Sequence, residues 1–165
     1  MNFMNRLPIL FLLACCAAAP LAAQSKENDI PVDQLPANVK QVLEQYVQIL
    51  RTSKNVDEAA TKFTDIAGGT LVNENGSVSS NTRQFGLKKD FNNVKHYADP
   101  LIITRVNATP SNGQGYGKTA IKGMVYKIWI RKRDEKQGMP APVSILVPEG
   151  HETITTPRVV NVGSY

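Results

Sequence analysis

KTAIKGMVYKIWIRKR, residues Lys118 to Arg133, is the longest β-like run in the chain. β-Branched and aromatic residues fill Ile121 to Ile130, and no proline interrupts them. Alternate residues of a strand point to opposite faces. One parity here carries Ala120, Met124, Tyr126, Ile128 and Ile130; the other carries Ile121, Gly123, Val125 and Trp129. Both faces are apolar in the middle, and the ends turn basic. Such a strand needs cover on both sides, which predicts the central strand of a curved sheet with helices lying on it.

The neighbouring segments supply further strands. Leu101 to Thr109 reads as one, closed by the turn Pro110-Ser111-Asn112-Gly113. After the polar loop Asp134 to Pro142, Val143 to Val147 forms another, stopped by Pro148-Glu149-Gly150, and Arg158 to Val162 is the fourth.

Upstream, the period changes. Val39, Val42, Leu43, Tyr46, Val47 and Leu50 make the apolar stripe of an amphipathic helix, with Pro36 in its first turn and Asp33 as its cap. Asn55 with Glu58 predicts the capped start of a second helix, whose buried side is Val56, Ala59, Ala60, Phe63, Ile66 and Ala67. Gly68-Gly69 should end it. Asn75-Gly76 between Thr70-Leu71-Val72 and Ser77-Val78-Ser79 predicts a small hairpin. Leu87, Phe91, Val94 and Ala98 place a third helix within Thr82 to Tyr97, weakened by Gly86 and stopped by Asp99-Pro100.

The chain has 165 residues, room for one domain with an ordinary core. Residues 1–23 are expected to stand apart from it as a signal segment: a short basic start, an apolar run Leu7 to Ala19, and small residues at Ala22-Ala23. Two processing sites stay open. One is cleavage after Ala23; the other is lipidation of Cys15, since Leu12-Leu13-Ala14-Cys15 resembles a bacterial lipobox. The apolar run falls short of a membrane span. Residues 24–34 read as a polar tether and 35–165 as a single α+β domain. Both cysteines, Cys15 and Cys16, fall in the signal segment, which leaves the domain without a thiol. Lys and Arg number 19 against 14 Asp and Glu; without residues 1–23 only Arg6 is lost, so the net charge drops from +5 to a mild +4. That balance does not call for nucleic acid.

Helix, helix, hairpin, helix and then four consecutive antiparallel strands resembles the nuclear transport factor two-like superfamily, which includes ketosteroid isomerase, scytalone dehydratase and the polyketide cyclases. The resemblance rests on VKQVLEQYVQIL, NVDEAATKF, GMVYKIWI, VSILV and RVVNV and spans roughly Pro36 to Tyr165. It is an order of elements, not a motif. It implies N-terminal helices packed on a curved four-stranded antiparallel sheet forming a cone whose open end commonly holds a ligand. A cystatin-like relative has a single main helix, and three helical segments argue against it.

Few residues offer chemistry. His96 with Asp99 could work as general base and acid, although a histidine in a last helical turn also complements the helix dipole. Tyr46, Tyr126 and Trp129 are candidate ligand-binding residues, with core packing as the plain alternative. The resemblance implies a tyrosine and an acid inside the cone, and the acid has no clear match on the central strand. Lys118, Lys122, Lys127, Arg131, Lys132 and Arg133, with Lys88, Lys89 and Lys95, could meet an anionic partner or simply keep an edge soluble. The glycines at 113, 115 and 117 join two strands with no helix after them, so they are not a phosphate loop. His96 and His151 are the only histidines, and neither has metal-ligand spacing around it.

The expected function is an exported envelope accessory protein, periplasmic, secreted or lipid-anchored. It would bind a small amphipathic molecule or an envelope protein, without a cofactor, a metal or nucleic acid. An isomerase, dehydratase or cyclase using His96, Asp99 and Tyr126 is the enzymatic alternative. A subunit dimerising through the sheet face that holds Trp129 is the third.

Overall fold

The structure, a computed structural model, describes residues 28–134 and 141–163. The signal segment with Cys15, residues 24–27 and residues 135–140 of the polar loop lie outside the described residues.

The architecture is α+β, with helices on an open antiparallel sheet of strands β1 (Asp29–Ile30), β2 (Ile103–Gln114), β3 (Ile121–Ile130), β4 (Ala141–Pro148) and β5 (Arg158–Asn161), paired in sequence order. The expected four strands are thus five. The extra one comes from the segment read as a tether, of which residues 29–34 are folded. Asp29 and Ile30 pair with Asn107 and Val106. A two-residue strand has little pairing energy of its own, and side chains hold it in place. Arg105 grips Asp29 bidentately, Nε reaching both carboxylate oxygens at 3.0 Å and Nη2 reaching Oδ1 at 2.9 Å.

Helix α1 (Ala37–Thr52) buries the expected stripe, with Val39, Leu43 and Tyr46 fully enclosed. Asp33 is not its cap. It lies in a separate 3-10 turn, Val32–Gln34, and the Pro36 carbonyl accepts the first helical amides, Val39 and Lys40, at 3.0 Å. Helix α2 (Val56–Phe63) starts as its sequence dictates, with the Asn55 side chain accepting from the Glu58 amide at 2.9 Å. The Glu58 carboxylate reaches back one residue further, to the Lys54 amide at 2.9 Å.

This helix stops at Phe63, well short of Gly68-Gly69. The glycines serve a different contact. Ala67 bridges Val159 in parallel, and the Gly68 amide donates to the Val159 carbonyl at 2.9 Å. A Cβ on Gly68 would lie 2.7 Å from the Arg158 Cβ. The small hairpin is present as one bridge, Val72 to Val78, closed by Gly76 at φ 82°. The third helix is one winding of three kinds: a π turn (Thr82–Leu87), an α segment α3 (Lys88–Asn93) and a 3-10 turn (Val94–His96).

β2 runs past the turn expected at Pro110 to Gln114. The Ala108 amide donates to Asn28 on the β1 side, so Pro110, two residues on, turns its missing N–H away from β3. No bond of the ladder between β2 and β3 is lost there, which is why a proline fits. The reversal falls instead at Gly115 and Gly117, with φ of 108° and 53°.

The two parities of β3 meet different surroundings. Ile128 and Ile130 join Val106, Val143, Ile145 and Val159 under all three helices in one core, with Tyr126 packed against it. Among the described residues no α-helix lies over the opposite face. Ile121, Leu146 and Val160 form a second small core there, with Val125 and the loop residue Ile154 against it. The sequence predicts cover on both sides; among the described residues the α-helices supply it on one side, and the loop residue Ile154 contributes on the other.

Gly123 lies in β3 at φ 147°, and a Cβ there would collide with the Val147 carbonyl oxygen of β4. Gly123→Ala is expected to lower the unfolding free energy by about 2 kcal/mol or more. Chemical denaturation monitored by circular dichroism checks this; an unchanged midpoint would mean the strand pair tolerates a side chain there.

Candidate functional site

The residues singled out from the sequence do not assemble. His96 is half-buried at the end of the third helix, where its carbonyl accepts from the Arg133 amide at 2.8 Å. Asp99 pairs with Arg51, Nη1 to Oδ1 at 3.2 Å, and not with His96. Arg51 also caps the Ala98 carbonyl at 2.9 Å, so this arginine takes the carboxylate that sequence spacing had offered to the histidine. Tyr126 faces the main core from β3, opposite Ala108 and Ile145. Trp129 is on the other face, stacked under the Arg105 guanidinium at 4.5 Å with Lys127 at 5.2 Å.

The basic residues also divide. Arg131, Lys132 and Arg133 continue beyond β3 as a strip pairing with residues 96–98, and the Arg133 Nε donates to the Tyr97 carbonyl at 2.9 Å. Lys127 lies over Trp129, while Lys88 and Lys89 belong to α3. Among the described residues no three His, Cys, Asp or Glu side chains converge as a metal site, and no helix is long and apolar enough to cross a membrane.

What the structure does bring together is a buried polar knot. Asp90 of α3 is 3 % exposed. Its Oδ2 accepts from the Tyr46 hydroxyl at 2.7 Å and from the Gly163 amide at 2.9 Å. One carboxylate therefore ties together α1, α3 and the segment after β5. The Tyr46 ring rests on Phe63 of α2, centroids 5.2 Å apart. The Tyr97 hydroxyl is buried nearby and has no hydrogen-bond partner among the described residues. Burial raises the Asp90 pKa more than the Gly163 amide, the Tyr46 hydroxyl and the Lys89 charge lower it. Burial, and then the Asp90 charge, also pushes both tyrosines above their ordinary value.

Sequence reading missed Asp90, although a signal was present. It lies three residues after Leu87 and four before Val94, beside the apolar stripe of the third helix, where a charge must find a partner. Tyr46 sits in the middle of the α1 stripe and has a hydroxyl to satisfy. A match between the two is a tertiary event that neither spacing contains.

On the outer side of the same helix is a groove of about 860 Å³. Leu71, Phe85 and Val162 are its apolar lining, and Gly86 and Gly163 form part of its backbone wall. Asn81, Gln84, Asn92 and Asn161 surround these with amides, joined by Lys88 and Lys89. The π turn shapes the groove. Such a turn winds one residue wider than an α turn and recurs at functional sites. Phe85, at its outer side, is 67 % exposed. Gly86 lets the C-terminal segment come close: its Cβ would lie 3.0 Å from the Val162 Cγ2, and a Cβ on Gly163, at φ 70°, would run into the Gly86 Cα. A second groove, of about 680 Å³, lies between Val32, Leu35 and Leu101–Ile103, with Asp33 and Lys40 beside it. Of the sequence-derived candidates, Lys88 and Lys89 line the first groove, whereas His96, Asp99, Tyr46, Tyr126 and Trp129 line neither.

Compared with known proteins, the chain matches no protein family, no curated protein and no solved structure.

Tyr46→Phe removes one of the two donors to a buried carboxylate, and a loss of about 1–3 kcal/mol in unfolding free energy is expected. The pH dependence carries a definite sign. Native Asp90 holds its proton to a higher pH than an unfolded aspartate, so the native state binds more protons between the two pKa values. Its contribution to stability therefore falls as pH rises from about 4 through the native value, then levels off. Unfolding free energies of the wild type relative to Asp90→Asn should show that decline; a rise over the same interval would contradict the burial argument.

Proposed function

We propose that this chain is a non-catalytic accessory protein of a bacterial envelope that binds a small amphipathic molecule in the groove between the π turn and the end of β5. One observation carries the reading: apolar Leu71, Phe85 and Val162 share a recess with amide and ammonium side chains. Its volume falls within the usual range of small-molecule sites, and mixed lining of this kind suits a ligand with an oily and a polar end. Phe85 supports it, because a large aromatic left two-thirds exposed beside a recess is surface awaiting cover.

Export is proposed on residues 1–23, with release after Ala23 or anchoring through Cys15 as the two routes. Kinship with the nuclear transport factor two-like superfamily is proposed on the order of elements: two helices, a one-bridge hairpin, a third helix, then four consecutive strands. The enzymatic alternative lacks a supporting observation, since His96, Asp99 and Tyr126 face different surroundings. The sheet-dimer alternative has less support among the described residues: Trp129 lies under Arg105 and Lys127, and β2 presents Arg105, Asn107, Thr109 and Ser111 on that face.

The reading is tested with Nile red, an uncharged apolar dye, on the full chain purified from its host. The wild type should bind it, and Phe85→Glu should weaken binding about tenfold or more, the equivalent of losing one buried aromatic side chain. Equal affinity in the two proteins would remove the groove as the site.

A further inference from the structure

We infer that the groove selects single-chain amphiphiles with an anionic head, an inference that rests on the amphiphile-binding reading above and adds the ligand's charge. The argument begins with which ionisable groups the groove presents. Lys88 and Lys89 line it, and no Asp, Glu or His does among the described residues. The acid next in sequence, Asp90, points the other way, into the core, where Tyr46 and Gly163 hold it. One helical turn therefore sends its carboxylate inward and its ammonium groups outward. Exposed Lys88 sets the sign of the charge that the recess presents, while Lys89 already acts on the Asp90 carboxylate.

The uncharged polar groups fit the same head. Asn81, Gln84, Asn92 and Asn161 each carry an amide N–H₂ that can donate to an oxyanion, and donors to a charged acceptor make the stronger hydrogen bonds. Lys88 is exposed and adds charge without needing to leave another partner's pocket. The apolar residues require a tail. Phe85 and Val162 would gain nothing from a bare inorganic anion but can be covered by a hydrocarbon chain. A carboxylate or a phosphate monoester on one alkyl chain satisfies both halves of the lining.

The test uses calorimetric titration of the full chain with four probes, the detergents held below their micelle concentrations: decyl phosphate, decyl maltoside, decyltrimethylammonium and inorganic phosphate. Decyl phosphate is expected to bind about tenfold or more tightly than the neutral and cationic detergents, and to weaken as salt is raised. Lys88→Glu should reduce decyl phosphate binding about tenfold and decyl maltoside binding by a much smaller factor, and Lys88→Gln should lie between. Because Lys88 is exposed, both variants are expected to fold, which circular dichroism verifies. Equal binding of phosphate and maltoside heads would overturn the charge selectivity and leave the groove reading standing. Inorganic phosphate binding as tightly as decyl phosphate would overturn the amphiphile assignment. Binding of none of the three detergents would remove both readings together.

Discussion

The packing of α1 against the inner face of β4 and β5 is the contact on which the rest of the molecule depends. Val39, Leu43, Tyr46 and Leu50 share one core with Ile128, Ile130, Val143 and Ile145, and neither layer could exist in water without the other. With α1 in place, α2 and the third helix fill the remaining inner surface, Ala59 and Ala60 giving close approach and Phe63 reaching the Tyr46 ring. The inner side of the sheet is thereby filled with side chains. The larger of the two grooves described lies at the margin, where the third helix passes the end of β5.

Enclosing Tyr46 in that core creates an obligation. A buried hydroxyl needs a partner, and Asp90 supplies it. The carboxylate needs more than one donor, and the Gly163 amide provides the second. The segment after β5 must therefore reach across to α3, which is possible only because Gly86 and Gly163 have no side chains to keep the two backbones apart. The wide π turn and the recess beside it follow from the same crossing. The core's polar knot and the surface groove are two sides of one arrangement, with Asp90 facing in and Lys88 and Lys89 lining the outside.

Much of the fold was legible in the sequence because it is written in periodicity. The α1 stripe, the Asn55 cap and the alternation along Ile121 to Ile130 each depend on a few neighbours in the chain. Features settled by distant contacts were not legible. β1 is too short to show a strand pattern and exists through Arg105, 76 positions away from Asp29. Gly68-Gly69 has the look of a helix end, yet its role is set by Arg158 and Val159. Pro110 reads as a breaker unless it is known that its missing N–H faces away from β3. The site was less legible than the fold. His96 and Asp99 have suitable spacing, but Arg51, from another helix, takes the carboxylate. Asp90 follows Lys88 and Lys89 in sequence, and nothing in those neighbours names Tyr46 and Gly163 as its partners.

Trp129 is the only tryptophan in the chain, and it lies beneath Arg105, the residue that holds Asp29. Its indole thus sits at the docking point of the first strand, on the sheet face away from the helices. Ultraviolet emission excited near the red edge of protein absorbance would come from this corner alone. The colour of that emission would report whether the N-terminal edge is seated, and it would be a poor witness to events beside the third helix.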